Sequence, residues 1–183
     1  MVLTVVAVDA PGDQAGAETL EIMSAAPQYN AWMYETVAPW IGRRVLEVGS
    51  GIGNMSAYML DAGAEHLVLT DMDPWYRAQL AERFAGKPHV RVDELMLPDD
   101  TAATRFAADR LDTIVALNVV EHIENDVGAL ATMRTMLAPG GRIVILVPAL
   151  QAIYGEMDRE LGHFRRYGKA GLSEVFAKAG FRV

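Results

Sequence analysis

The stretch from Val45 to Ser56, VLEVGSGIGNMS, constrains this chain more than any other. An apolar run ends in glycines at 49, 51 and 53 and then turns polar and helix-forming. That order predicts a strand, a tight turn and a helix, with a turn backbone that a ligand can approach because no Cβ stands in the way. The dinucleotide form of such a turn, G-x-G-x-x-G, is met at Gly49 and Gly51 but has Asn54 where its third glycine belongs. A phosphate-binding loop requires a lysine followed by serine or threonine, and neither follows here. The turn therefore predicts a ligand without naming it.

The rest of the chain says what kind of sheet carries the turn. RVLEV reads as a first strand and MSAYMLDAG as a helix closed by Gly63. HLVLT is a second strand, followed by a helix opening at Pro74, where proline suits the first turn. HVRV and LDTIVAL are the third and fourth strands. A helix from about Asn125 to Leu137 ends at APGG, and RIVILV is the fifth strand. Short β-branched runs alternating with amphipathic helices predict a doubly wound, Rossmann-like α/β sheet with helices on both faces. Ligands in that architecture sit at the carboxyl ends of the strands, the edge that carries the glycine turn. Residues 1–27, which include the small and polar DAPGDQAGAET, read as a flexible leader, and 28–183 as a single domain. Within that domain YNAWMYETVAPW has helical spacing stopped by Pro39, but Trp32 and Tyr34 cannot both face one side of it.

Composition removes several classes of function. A net charge of −8 opposes non-specific nucleic-acid binding, which depends on neutralising phosphates. The absence of cysteine excludes disulfides, thiolate metal sites and a thiol nucleophile. MVLTVVAV lacks a basic leader and meets Asp9 too early for a signal peptide, and no run approaches the roughly 18 apolar residues that span a bilayer. The expectation is a soluble, cytoplasmic protein with no metal, membrane or nucleic-acid partner.

The pattern E-x-G-x-G-x-G, Glu47 through Gly53, resembles the first motif of the class I S-adenosylmethionine-dependent methyltransferases. LTDMDP, VDELMLP, LDTIVALNVVEHI and MLAPGGRIVILVP are similar to the later motifs of that family, in the same order. The resemblance implies S-adenosyl-L-methionine as cofactor and S-adenosyl-L-homocysteine as product. It implies that Gly49, Gly51 and Gly53 seat the amino-acid end of the cofactor, with Glu47 holding the turn or reaching the ammonium through water. Asp71 would accept both ribose hydroxyls, with Met72 beside it, and Asp93 or the adjacent Glu94 would bond the adenine amino group. Asn118 would line the pocket, and the helix with Tyr29 would close over the cofactor, Tyr29 near its carboxylate. Carboxylates suit these partners because they accept several bonds in fixed geometry. The plainer reading of Glu47 and Asp71 is a turn acid that caps the next helix.

Methyl transfer is an in-line displacement, so alignment and exclusion of water supply much of the acceleration, and a base is needed only for an acceptor that must lose a proton. The segment YGEMDRELGHFRRYGKAGLSEVF lies where the family places its substrate loop. It gathers His163, Arg165, Arg166, Tyr167 and Lys169 in an acidic chain. His163 is the best candidate for a base or an orienting group, and His122, after the fourth strand, is a brace first and a catalyst second. Basic residues facing the site would favour a small, anionic acceptor. The alternative for HFRRY is a solvated loop pinned by its aromatics. The expected function is transfer of a methyl group to an oxygen or nitrogen of a small molecule, and the alternative is a cofactor-binding module or partner subunit without chemistry.

The family's sheet ordinarily continues into a C-terminal strand hairpin, whereas this sequence stops at FRV. RIVILV would then be an uncovered apolar edge, a pairing liability. Three explanations are open. The sequence is truncated, which is the favoured reading, or a homodimer partner covers the edge, or MVLTVVAV folds back as a replacement strand.

Overall fold

The structure, a computed structural model, describes residues 14–182. Strands β1 (Arg44–Val48), β2 (His66–Asp71), β3 (Val90–Glu94), β4 (Leu111–Leu117) and β5 (Leu137–Leu146) form one sheet in the order β3-β2-β1-β4-β5, every pair parallel. The chain winds outward from β1 to β3 and then returns to lay β4 and β5 on the other side. The carboxyl ends of β1 and β4 are therefore the point where the winding reverses, the place where doubly wound sheets hold ligands.

Local chemistry sets the helix limits. Helix α4 (Pro74–Arg83) opens with Asp73 as its cap, whose carboxylate accepts from Trp75 N at 2.8 Å, and with Pro74 at its first position. Asn125 caps α6 (Asp126–Met136) by accepting from Gly128 N at 2.9 Å. Helix α2 (Pro27–Val37) passes into a 3-10 turn at Ala38–Trp40, where Pro39 ends it. Tyr34 stacks on Tyr58 of α3 (Asn54–Asp61) at 5.3 Å while Trp32 stays exposed, so the two aromatics do part company.

The two faces of the sheet separate by the period of two that strands impose. Leu46 and Val48 of β1, Val68 of β2, and Ile114 and Ala116 of β4 pack with Phe106, Leu130 and Met133 beneath α5 (Ala102–Arg105), α6 and α8 (Lys169–Lys178). Val45, Leu67, Leu69 and Val115 point the other way, against Met33, Met59, Leu80 and Phe84 of the opposite helix layer. Each fully buried Leu contributes about 1.5–3 kcal/mol.

Two expectations change. Part of the expected leader, Gln14–Ser24, is helix α1, because it has a surface to pack on: Asn30 Nδ2 donates to Met23 O at 2.8 Å and Leu20 lies over the glycine turn. Residues 1–13, with the proposed replacement strand MVLTVVAV, lie outside the described residues. The APGG segment, expected as a turn before the fifth strand, is absorbed into β5. Leu137 pairs with Leu111, and Arg142 with Thr113, so residues 138–141 bulge out opposite Asp112. Among the described residues β5 pairs only with β4, and the face beside it, lined by Trp40, Ile143, Ile145, Leu172, Phe176 and Phe181, is an open apolar groove of about 390 Å³. No described helix is long and apolar enough to cross a membrane.

Candidate functional site

The glycines of the turn after β1 are required by its left-handed backbone and by the side chains packed against it. Gly49 and Gly53 have φ of 65° and 80°. A Cβ on Gly49 would stand 2.6 Å from Val119, and one on Gly53 would stand 2.7 Å from Phe84. The turn is tied to β2 by Ser50 N donating to Thr70 O at 2.9 Å and by Thr70 Oγ1 donating to Glu47 O at 2.8 Å. Leu20 of α1 sits on Gly51, where a Cβ would meet its Cδ1 at 2.8 Å.

Asp71 joins the turn to the next helix. Its Oδ2 accepts from Gly51 N at 3.0 Å and its Oδ1 from Asp73 N at 2.9 Å, and burial raises its pKa despite those two bonds. Each oxygen keeps a second lone pair, so the two backbone donors orient the carboxylate without exhausting it. Met72 is exposed beside it, with its carbonyl held by Arg77. Glu47 is buried under the turn and accepts from the Ser56 hydroxyl. Burial pushes its carboxyl up to about 7 against the pull of that bond.

The Glu47 shift is a statement about stability. The folded chain holds a proton that the unfolded chain releases near its ordinary value of 4.5, so stability is expected to fall as pH rises from about 4.5 through about 7. Glu47→Gln keeps an acceptor for Ser56 and removes the ionisation. Urea unfolding at pH 5 and pH 8 should show the variant gaining on the natural chain by about 2–3 kcal/mol on going to pH 8, at about 1.4 kcal/mol per pKa unit. Parallel pH dependence in both chains would refute the assignment.

The adenine pair is less free than the sequence suggests. The Asp93 carboxylate is bonded by Arg91, by Arg105 at 3.2 Å and by Glu94 N at 2.8 Å. About one of its lone-pair positions is left for an amino group. Glu94 is exposed and pairs with Arg77 at 3.3 Å. Asn118 follows β4 in the left-handed region, φ 55°, which asparagine tolerates better than most residues. Its N–H donates to Leu146 O, and its side chain reaches Met33 of α2. Tyr29 is half exposed and tilts against Trp32 at 5.8 Å.

The HFRRY loop is fastened inward, and this overturns the basis for an anionic acceptor. Arg165 pairs with Asp126 at 2.6 Å, and Arg166 with Asp158 at 2.7 Å. Tyr167 is buried and donates to Asp126 at 2.9 Å. The two arginines are spent on the chain's own acids, Asp126 of α6 and Asp158 of the same loop. The loop is closed at its base by a bridge between Ala149 and Tyr167, with Tyr167 N donating to Pro148 O at 2.9 Å. Inside it, Gly155 caps the short helix α7 (Glu156–Glu160). Asp158, with its carboxyl held well below the usual range chiefly by Arg166, receives Gly155 N and Nδ1 of His163 at 3.0 Å.

His163 and His122 do meet. Their rings stand edge to face with centroids 4.6 Å apart, and Phe164 N donates to Glu121 O at 2.8 Å, which ties the loop to the turn after β4. Between them is a residue that the sequence reading passed over. Glu121, in the 3-10 turn Val120–His122, is fully buried, and neither carboxylate oxygen has a hydrogen-bond partner among the described residues. Burial pushes its carboxyl up to about 7. The signal was a lone acid in the apolar stretch VVEHI, a place where a carboxylate needs a reason.

A doubly wound parallel sheet with a glycine turn at its reversal point, and a buried acid ending the next strand, defines a nucleoside-cofactor-binding domain. Residues 18–183 match the model of a methyltransferase domain family. An uncharacterized methyltransferase of Mycobacterium tuberculosis is 30% identical over 160 residues, which cover 86% of this chain and 59% of that protein. The tRNA U34 carboxymethyltransferase of Methylococcus capsulatus is 34% identical over 158 residues, 80% of this chain and 47% of its own. Among solved structures, the trans-methyltransferase CalH in complex with S-adenosylhomocysteine superposes with a TM-score of 0.62 at 25% identity, over 76% of this chain and 45% of that one. The chain belongs to the class I S-adenosylmethionine-dependent methyltransferase family, and it spans about half the length of the curated relatives it matches.

Proposed function

We propose that this chain transfers the methyl group of S-adenosylmethionine to an oxygen or nitrogen of a small-molecule acceptor. The observation that carries the reading is Asp71, fixed by Gly51 N and Asp73 N at the end of β2, beside the reversal point, with lone pairs to spare for two hydroxyls. The glycine turn would take the amino-acid end of the cofactor, and Glu47 beneath it would hold the turn or reach the ammonium through water. The cofactor supplies a carbon already activated by a sulfonium. The protein's share is alignment, exclusion of water and, for a protonated acceptor, removal of the proton. His163 would take that last role, a reading supported by its Nδ1 facing Asp158, which leaves Nε2 to accept a proton or to orient the acceptor. When bound, the cofactor would supply its methyl group to the acceptor atom and leave as the thioether, and Nε2 of His163 would take the acceptor's proton.

The structure gives an anionic acceptor no support from the arginines, because Arg165 is paired with Asp126 of α6 and Arg166 with Asp158 of the loop. The relatives named for tRNA raise an RNA acceptor as a rival, and the charge of −8 stands against it. Purified protein is incubated with methyl-labelled cofactor and, separately, with a panel of small alcohols, phenols and amines or with bulk tRNA. Label in a small-molecule product supports the proposal. Label in tRNA overturns the acceptor class, and tight S-adenosylhomocysteine binding without transfer to either would make the chain a non-catalytic binding module.

A further inference from the structure

Glu121, His122 and His163 form a cluster that the reaction above does not explain. One ligating atom from each, a carboxylate oxygen and a ring nitrogen from each histidine, lies within 4.8 Å of the other two. Glu121 is 0% exposed, and both its oxygens lack a hydrogen-bond partner among the described residues. A buried carboxylate left in that state is costly: protonation removes the charge but still leaves both oxygens without a partner, whereas a cation or a metal compensates both. His163 is already arranged as metal-bound histidines are. Nδ1 is held by the Asp158 carboxylate at 3.0 Å, which fixes the tautomer and leaves the lone pair on Nε2. The ring is held further by His163 N donating to Asp158 O at 2.8 Å and by Tyr154 Oη donating to His163 O at 2.7 Å.

From this geometry we propose that Glu121, His122 and His163 bind a divalent transition-metal cation of the zinc type. Two imidazoles and one carboxylate form the donor set that zinc takes in three-ligand sites, whereas magnesium favours an all-oxygen shell. Ligand atoms around a tetrahedral zinc stand about 3.3 Å apart. A spread of up to 4.8 Å must therefore close by as much as about 1.5 Å, chiefly by χ rotation of the exposed His122, since the His163 side chain is largely buried and held by Asp158.

Three protein ligands leave a fourth position for water or an acceptor atom. The cluster follows β4 directly, and Val119, next in line, touches the glycine turn at Gly49. The cation is therefore placed on the edge where methyl transfer would occur. That last step rests on the proposed methyl transfer, and the metal binding does not. With the cation bound, His163 serves as an orienting ligand rather than as a free base.

The test is zinc binding to chelator-stripped full chain, by calorimetry and by competition with a chromophoric chelator. Cobalt serves as a spectroscopic probe of coordination. The expected result is one zinc per chain, tetrahedral-intensity cobalt bands, and little response to magnesium. Glu121→Gln and His163→Asn should each weaken zinc at least tenfold and remove the cobalt bands. Asp158→Asn, which touches no metal, should weaken it about 10–100-fold, and His89→Ala should leave it unchanged. Circular dichroism and urea midpoints show whether each variant is folded, and cobalt spectra of His122→Ala give a second reading if the buried Glu121 variant is not. Substoichiometric zinc, or zinc binding indifferent to Glu121 and His163 in folded variants, overturns the proposal. S-adenosylhomocysteine affinity is measured on the same samples. Cofactor binding without zinc refutes the metal site alone, and zinc without cofactor refutes the methyl-transfer reading alone.

Discussion

Asp71→Ala is expected to lower S-adenosylhomocysteine affinity about 10²–10⁴-fold. Two hydroxyl bonds to a charged acceptor contribute about 3–6 kcal/mol, and each 1.4 kcal/mol is a factor of ten. The substitution also strips Gly51 N and Asp73 N of their acceptor, so the turn loses its orientation along with its ligand. Asp71→Asn separates the two effects. It keeps one acceptor oxygen but turns an amide N–H toward one of the two backbone donors, so it should fall between alanine and the natural chain. Calorimetric titration with S-adenosylhomocysteine gives the affinities, and urea midpoints show whether the fold survives. A loss below tenfold in a folded Asp71→Ala variant would mean that the carboxylate only caps the turn.

His163→Ala should reduce turnover about 10²–10⁴-fold, the range for a positioned proton acceptor, and leave S-adenosylhomocysteine affinity within about twofold. The split matters because His163 also fastens its loop through Asp158 and Tyr154. A purely structural histidine would show its loss in stability and KM before kcat. A base predicts that the acidic limb of the kcat profile disappears, whereas a metal ligand predicts that chelators reproduce the defect in the natural chain. Unchanged turnover would retire both roles for His163.

The fold was legible because each element announced itself locally. Pro74 behind Asp73, the glycines at 49, 51 and 53, and the β-branched runs of β1 and β4 carry their own instructions. What escaped depends on contacts between distant segments. Helix α1 was read as a leader because the surface under Leu20 is Gly51, supplied by a turn more than a whole helix away. The arginines of HFRRY looked free because Asp126 belongs to α6 and Asp158 to another turn of the same loop. The acids expected to meet the cofactor show the same division. Asp71 could be read from its place at the end of β2, but the engagement of Asp93 by Arg91 and Arg105 is a three-dimensional fact. Glu121 was in plain view and lacked only a reason to be singled out, which its burial provides.

The bridge between Ala149 and Tyr167 closes a loop whose remaining fastenings include its own Asp158 and the turn after β4. A segment pinched at its base in this way can change in length and sequence while the sheet below it keeps its register, as surface loops on rigid scaffolds generally do. It is a cassette. Grafting the corresponding segment of a relative between Ala149 and Tyr167 is expected to leave S-adenosylhomocysteine affinity unchanged and, under the proposed methyl transfer, to exchange acceptor preference. Divergence of this lineage toward new acceptors would then be concentrated within those two residues rather than spread through the sheet.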